Sequence, residues 1–174
     1  MDQLPAIARV FAYLSLLTVG GGMAAFPEMK TIVVDQKAWL TFQQLIHIYS
    51  VGQLAPGPNM MMVAAVGERV AGIPGAFVAA LAFFVPTGIL TFVVGNVWNR
   101  LKDWPWRQSI QYGLAPVAVG LAVAGTITLA KGAIGGWVTA ALAILVFVAV
   151  SKTKINPALL ILGGAVVGAV ALRV

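Results

Sequence analysis

The chain has 174 residues, 60% of them hydrophobic and 9% charged, with a net charge of +6 and no cysteine. Soluble domains run at roughly 45–50% apolar and about 25% charged, so five acids and eleven bases cannot cover a soluble surface of this size. This composition describes a protein of the lipid bilayer, and it excludes disulfides, thiol chemistry and, with its single histidine, a multi-histidine metal site within one chain.

The first apolar stretch lies between Arg9 and Glu28. Met1-Asp2-Gln3 lacks the positive region of a signal peptide, so residues 5–25 are expected to form a retained membrane helix. Gly20-Gly21-Gly22 interrupts it. Each glycine in a helix costs roughly 1 kcal/mol relative to alanine, and three in succession permit unusual backbone angles and close backbone approach. They serve either tight helix packing through small residues or a half-helix end that meets another. A polar connection is expected over 28–41, ending at Trp39, which suits an interfacial anchor.

From Lys37 to Glu68 there is no charged residue other than a protonated His47. The centre of that stretch is Gln53-Leu54-Ala55-Pro56-Gly57-Pro58-Asn59. Each proline removes a backbone donor and clashes with the preceding turn, so the segment is expected to break at membrane depth. Bare backbone is tolerated there only where protein or a wet cavity surrounds it, and transporters place their substrates at such breaks. Two geometries fit: two half-helices in line across the membrane, or a re-entrant hairpin with 42–55 and 59–69 as its arms. Gln43 and His47, spaced i, i+4, share a face of the leading arm.

Arg69 to Arg100 encloses a long stretch punctuated by Gly72-Ile73-Pro74-Gly75 and Pro86. A second polar connection is expected over 99–108, with Trp98, Trp104 and Trp106 around it. Further apolar stretches run from Arg107 to Lys131, Lys131 to Lys152 and Lys154 to Arg173. A spanning helix needs about 20 apolar residues. The expected fold is therefore all-α: a polytopic membrane protein of five to six membrane helices, including broken or re-entrant half-helices, in one domain over 1–174. The eleven bases do not segregate strongly in either topology, which fits insertion both ways or an inverted partner. They form no stripe interleaved with aromatics, so nucleic acid is not an expected partner.

A helix starting near Pro58-Asn59 presents free N–H groups and a positive dipole end, an anion site that needs no basic side chain. Asn59, Gln53, Ser50 and Thr18 add neutral donors, which bind an oxyanion without holding it too tightly to release. The candidate substrate-binding residues are thus Thr18, Gly20, Gly21, Gly22, Gln53, Pro56, Gly57, Pro58 and Asn59. His47, Glu68 and Arg69 are candidates for coupling, against structural or interfacial roles. Met60-Met61-Met62 reads as apolar packing rather than a copper site. Gly132-x3-Gly136 and Gly164-x3-Gly168 are small-residue packing pairs. No catalytic set, cofactor motif or metal cluster is present in the pattern.

Residues 14–130 resemble one domain of the chromate ion transporter family. The resemblance runs through Leu17-Thr18-Val19-Gly20-Gly21-Gly22, Asp35-x-Lys37-x-Trp39-Leu40 and Gln53-Leu54-Ala55-Pro56-Gly57-Pro58. It continues through Gly67-Glu68-Arg69-Val70-Ala71-Gly72-Ile73-Pro74-Gly75-Ala76 and Gly113-Leu114-Ala115-Pro116-Val117-Ala118-Val119-Gly120. Val19 stands where the family usually has phenylalanine, and Gly22 where its long members have proline; in length the chain is similar to the short, single-domain members. The resemblance implies export of the chromate dianion across the inner (plasma) membrane, handling of sulfate-like anions, and a homodimer or a partner half in inverted orientation. The residues alone leave two rivals open, a dual-topology channel for small anions or fluoride and a non-transporting membrane scaffold.

Overall fold

A computed structural model describes residues 3–18, 21–54, 59–102, 104–153, 160, 163, 164, 166 and 167, with the side chains of Leu54 and Asn59 left out. Every element among them is helical: α1 (Leu4–Leu16), a 3-10 turn (Gly22–Ala25), α2 (Phe26–Lys30), a π turn (Thr31–Gln36), α3 (Phe42–Leu54), a second 3-10 turn (Asn59–Met61), α4 (Met62–Arg100), α5 (Trp106–Ala133) and α6 (Trp137–Lys152). The chain divides into two units, Met1–Leu129 and Ala130–Val174.

In the first unit, α1 buries Ile7, Val10, Phe11, Leu14 and Ser15, a stripe with the 3–4 spacing of one helix face. That face packs along α4. Phe26, Met29 and Val33 of the next segment, Leu45 of α3, and Met62, Val63, Val66, Ala79 and Phe83 of α4 complete the core. The expected helix over 5–25 stops early, at Leu16. The Thr18 hydroxyl donates to the Ser15 carbonyl at 2.6 Å, using an acceptor the next helical turn would need. The expected polar connection over 28–41 is also partly helical. The run from Gly22 continues through α2 and the π turn to Gln36. A π turn brings residues five apart together, and Lys30 Nζ pairs there with the Asp35 carboxylate at 2.7 Å.

Two close approaches define the middle of the unit. His47 and Arg69 line one cavity, although 22 residues of continuous helix would separate them by about 33 Å. α3 and the helix that starts at Asn59 therefore lie side by side where His47 and Arg69 stand. Within α4, Ala71 (φ −143°, ψ 25°) and Gly72 (φ 65°, ψ −160°) are non-helical. A β-carbon on Gly67 would overlap the Gly75 carbonyl oxygen, and one on Gly75 would overlap that of Gly67. Eight helical residues would span about 12 Å, so α4 is two helices, 62–70 and 73–100, folded against each other at 71–72. Only glycine takes the Gly72 backbone without strain. Pro86 does not stop the second helix.

The 73–100 stretch and α5 leave large apolar side chains exposed, Phe92 and Tyr112 at 72% and 70%, a surface of lipid-facing kind rather than one suited to water. Among the described residues, two apolar stretches are long enough to cross a membrane, one within α4, where 73–100 remains after the 71–72 reversal, and one in α5; α1 and α3, at 13 residues each, reach only about 20 Å of a roughly 30 Å core. The expected connection over 99–108 agrees with the gap from Arg100 to Trp106, and Arg107 lies over the Trp98 ring across it at 5.5 Å. In the second unit, Gly136 precedes α6, and its N–H and that of Gly135 both donate to Thr139 Oγ1 at 3.1 Å. Gly168 of the second glycine pair lies outside the described residues.

Candidate functional site

Gly20, Pro56, Gly57 and Pro58 lie outside the described residues, as does the Asn59 side chain. Their flanks are described, and they meet. A β-carbon on Gly22 would overlap Cγ and Sδ of Met60. Gly22 opens the helical run to Gln36, and Met60 lies in the first turn of the helix that begins at Asn59. The structure thus brings two helix starts into contact, each just after one of the breaks expected from sequence. Around that contact, the Tyr49 hydroxyl donates to Met23 Sδ at 3.3 Å, and the Phe26 and Tyr49 rings meet edge-on at 5.3 Å. From the other side a β-carbon on Gly125 of α5 would overlap the Met23 carbonyl oxygen.

Gly21 has φ 99° and ψ 171°, a conformation essentially reserved for glycine. Among the described residues, a β-carbon on Gly21 would meet nothing within 4 Å. Its N–H donates to the Thr18 carbonyl at 2.9 Å, and its carbonyl accepts from Ala24 at 3.0 Å. The first N–H groups of any helix have no partner within that helix. Two starts in contact place such groups together, with the positive dipole ends they carry.

Gln53 follows Tyr49 by one turn of α3, beside the contact, while His47, Glu68 and Arg69 fall elsewhere. The Ser50 hydroxyl bonds the Ile46 carbonyl of its own helix at 2.9 Å. Gln53, His47, Glu68 and Arg69 are exposed. His47 and Arg69 share the cavity on the flank of the hairpin, while Glu68 is not among its lining residues.

Three features went unnoticed in the sequence. Thr41 and Gln44 form a capping box for α3: the Gln44 N–H donates to Thr41 Oγ1 at 3.2 Å and the Thr41 N–H to Gln44 Oε1 at 2.9 Å. The pattern Thr-x-x-Gln signals it. Ser15, 1% exposed, is clamped to Thr87 of α4. The Thr87 N–H donates to Ser15 Oγ at 3.1 Å, and Thr87 Oγ1 donates to the Ser15 carbonyl at 2.9 Å. Only the position of Thr87, next to Pro86, hinted at a local role. Gly125 carried no signal beyond being small. A cavity of about 570 Å³ between Leu90, Val94 and Trp98 of α4 and Leu114 of α5 contains none of the expected residues.

All the described elements are helical, and two apolar stretches among them are long enough to cross a membrane, which suits a membrane protein. The chain belongs to the chromate transporter family, whose model matches residues 5–169. It is 31% identical over 169 residues to the chromate transport protein of Cupriavidus metallidurans, covering 97% of this chain and 42% of that protein. It is 32% identical over 126 residues to the probable chromate transport protein of Synechococcus elongatus, with 72% and 32% covered. It is 29% identical over 164 residues to the uncharacterized transporter YwrA of Bacillus subtilis, with 91% of each covered. The chain spans less than half the length of the two chromate-named relatives. No solved structure matches it.

Proposed function

We propose that residues 1–174 form one domain of a secondary transporter that exports a tetrahedral oxyanion, chromate or a sulfate-like anion, across the inner membrane. The observation that carries the reading is the contact of Gly22 with Met60, which joins the two helix starts. Backbone N–H groups and dipole ends, rather than a basic side chain, would hold the anion. Gly20–Gly22, Thr18 and the segment from Gln53 to Asn59 would line the site. α1 and α3 would then be half-helices whose far ends lie at membrane depth, and the hairpins would be re-entrant. One small domain does not enclose a whole pathway, so the working unit would be a homodimer or a pair with an inverted partner half. The relatives named for chromate support the substrate class.

The membrane potential alone would suffice as driving force. At about 2.3 kcal/mol per charge per 100 mV, negative inside, expelling a dianion is favourable by about 4.6 kcal/mol.

The test is counter-flow of labelled chromate and sulfate in proteoliposomes, with insertion checked in parallel. Gly21→Leu is expected to abolish flux, because it strains the backbone beside the helix start. Asn59→Ala is expected to weaken it by roughly 10- to 150-fold, the weight of one hydrogen bond to a charged group. Wild-type flux in both variants would place the site elsewhere. Tag mapping that finds one orientation, with cross-linking that finds only monomers, would remove the inverted pair.

A further inference from the structure

The cavity on the flank of the second hairpin, about 360 Å³ in volume, is lined by His47, Ile48 and Val51 of α3 and by Met61, Ala65 and Arg69 of the returning helix, among others. Its chemistry is graded along its length. His47 stands five residues from the start of α3, about 8 Å along the axis, and Arg69 two residues before the 71–72 reversal, about 3 Å. Val51 and Met61 lie about 14 and 15 Å from the same two ends. Both nitrogen-bearing side chains therefore sit at one end, and apolar side chains line the rest.

That end is also the end of the polar residues Lys30, Asp35 and Lys37 and of the α3 capping box, so it faces the membrane surface when the break lies at depth. Among the described residues, Arg69 has no carboxylate within ion-pair distance; the pair found is Lys30 with Asp35.

We infer that this cavity is a binding site for one anionic phospholipid. The Arg69 guanidinium holds the phosphate in its planar fork, His47 adds a second nitrogen, and an acyl chain lies along Ile48, Val51, Met61 and Ala65. The lining, apolar apart from His47 and Arg69, decides between the two sources of a tetrahedral phosphorus or sulfur oxyanion. A water's share of liquid is about 30 Å³, so a free oxyanion would leave room for several waters against apolar walls that cannot bond them. A phosphate with a hydrocarbon tail fills both ends. Bulk lipid solvates the tail equally well, so selectivity comes from the headgroup, and the site prefers anionic over zwitterionic lipid.

The inference goes beyond transport and shares with that reading only the depth of the break. Its test therefore uses no flux. Purified protein in detergent is mixed with equal phosphatidylglycerol and phosphatidylcholine, and retained lipid is counted by native mass spectrometry. The wild type is expected to retain one phosphatidylglycerol preferentially. Arg69→Gln is expected to lower that retention roughly tenfold or more. Arg107→Gln, a control whose guanidinium lies over Trp98, leaves it unchanged. Ala65→Phe, at an exposed position, obstructs the chain without touching the charge and is expected to lower retention as well, so the test survives a poorly folding Arg69 variant. Unchanged retention in both Arg69→Gln and Ala65→Phe overturns the inference. So does sulfate binding to the detergent-solubilised protein that is lost in Arg69→Gln and kept in Ala65→Phe, which would assign the cavity to the free oxyanion.

Discussion

Placing alanine at Gly22 tests directly whether the two breaks touch. The new β-carbon would overlap Cγ and Sδ of Met60, which is 8% exposed and packed in the core. Gly22 itself lacks the positive φ of Gly21 and Gly72, so the backbone accepts alanine and the penalty is steric. Overpacking of this kind costs about 1–3 kcal/mol. Met60→Ala alone removes the obstructing atoms and leaves a cavity, at about 2–5 kcal/mol. In the double variant the clash has no partner and the added methyl fills part of the void. The two costs should therefore fall short of additivity by about 1–3 kcal/mol, the whole overpacking penalty. Any helix-propensity gain from losing the glycine appears in both backgrounds and cancels. The assay is unfolding of the purified protein in detergent, followed by tryptophan fluorescence, for all four members of the cycle, with oxyanion flux alongside. Distant sites add within about 0.3–0.5 kcal/mol. Additivity within that limit would show that Gly22 and Met60 are not in contact, and the site built on their meeting would fall with it.

Three further outcomes follow from packing and exposure. Ser15→Ala leaves the Thr87 N–H without the acceptor it has at 3.1 Å; a loss of about 0.6–1.7 kcal/mol is expected, the range of hydrogen bonds between membrane helices, and additivity with Thr87→Val in the same unfolding assay would deny the clamp. Gly67→Ala should cost about 3 kcal/mol or more, because its β-carbon meets the Gly75 backbone and not a movable side chain. Gly88→Ala, with nothing within 4 Å, should be neutral or stabilising by up to about 1 kcal/mol, and equal effects at the two positions would contradict the fold at 71–72. His47 is exposed on the hairpin flank, so His47→Ala should leave the pH profile of oxyanion flux unchanged, whereas a displaced profile would assign it a proton relay.

The sequence by itself determined the solvent and the punctuation. Its scarcity of charge fixes the bilayer as the medium, and helices are the spanning form whose backbone bonds are all satisfied locally. Runs of glycine and proline act on backbone angles and donors within a few residues, so the helix starts at Gly22 and Asn59 were legible from neighbours alone, whereas Gly72 was legible as punctuation and not as a reversal. The early end of α1 at Leu16 was not, because the Ser15 carbonyl is shared between Thr18 nearby and Thr87, 72 positions away. Nor was the choice between an in-line and a folded-back second segment. Residues next to a break state that the chain turns, while the direction is set by what the arms pack against. Only the tertiary structure decided that Gly22 meets Met60, that Gly67 meets Gly75, and that Gly125 rests on Met23. In each case glycine is required by a backbone or side chain beyond its own helical turn, and a missing β-carbon carries no mark of the partner that needs the space.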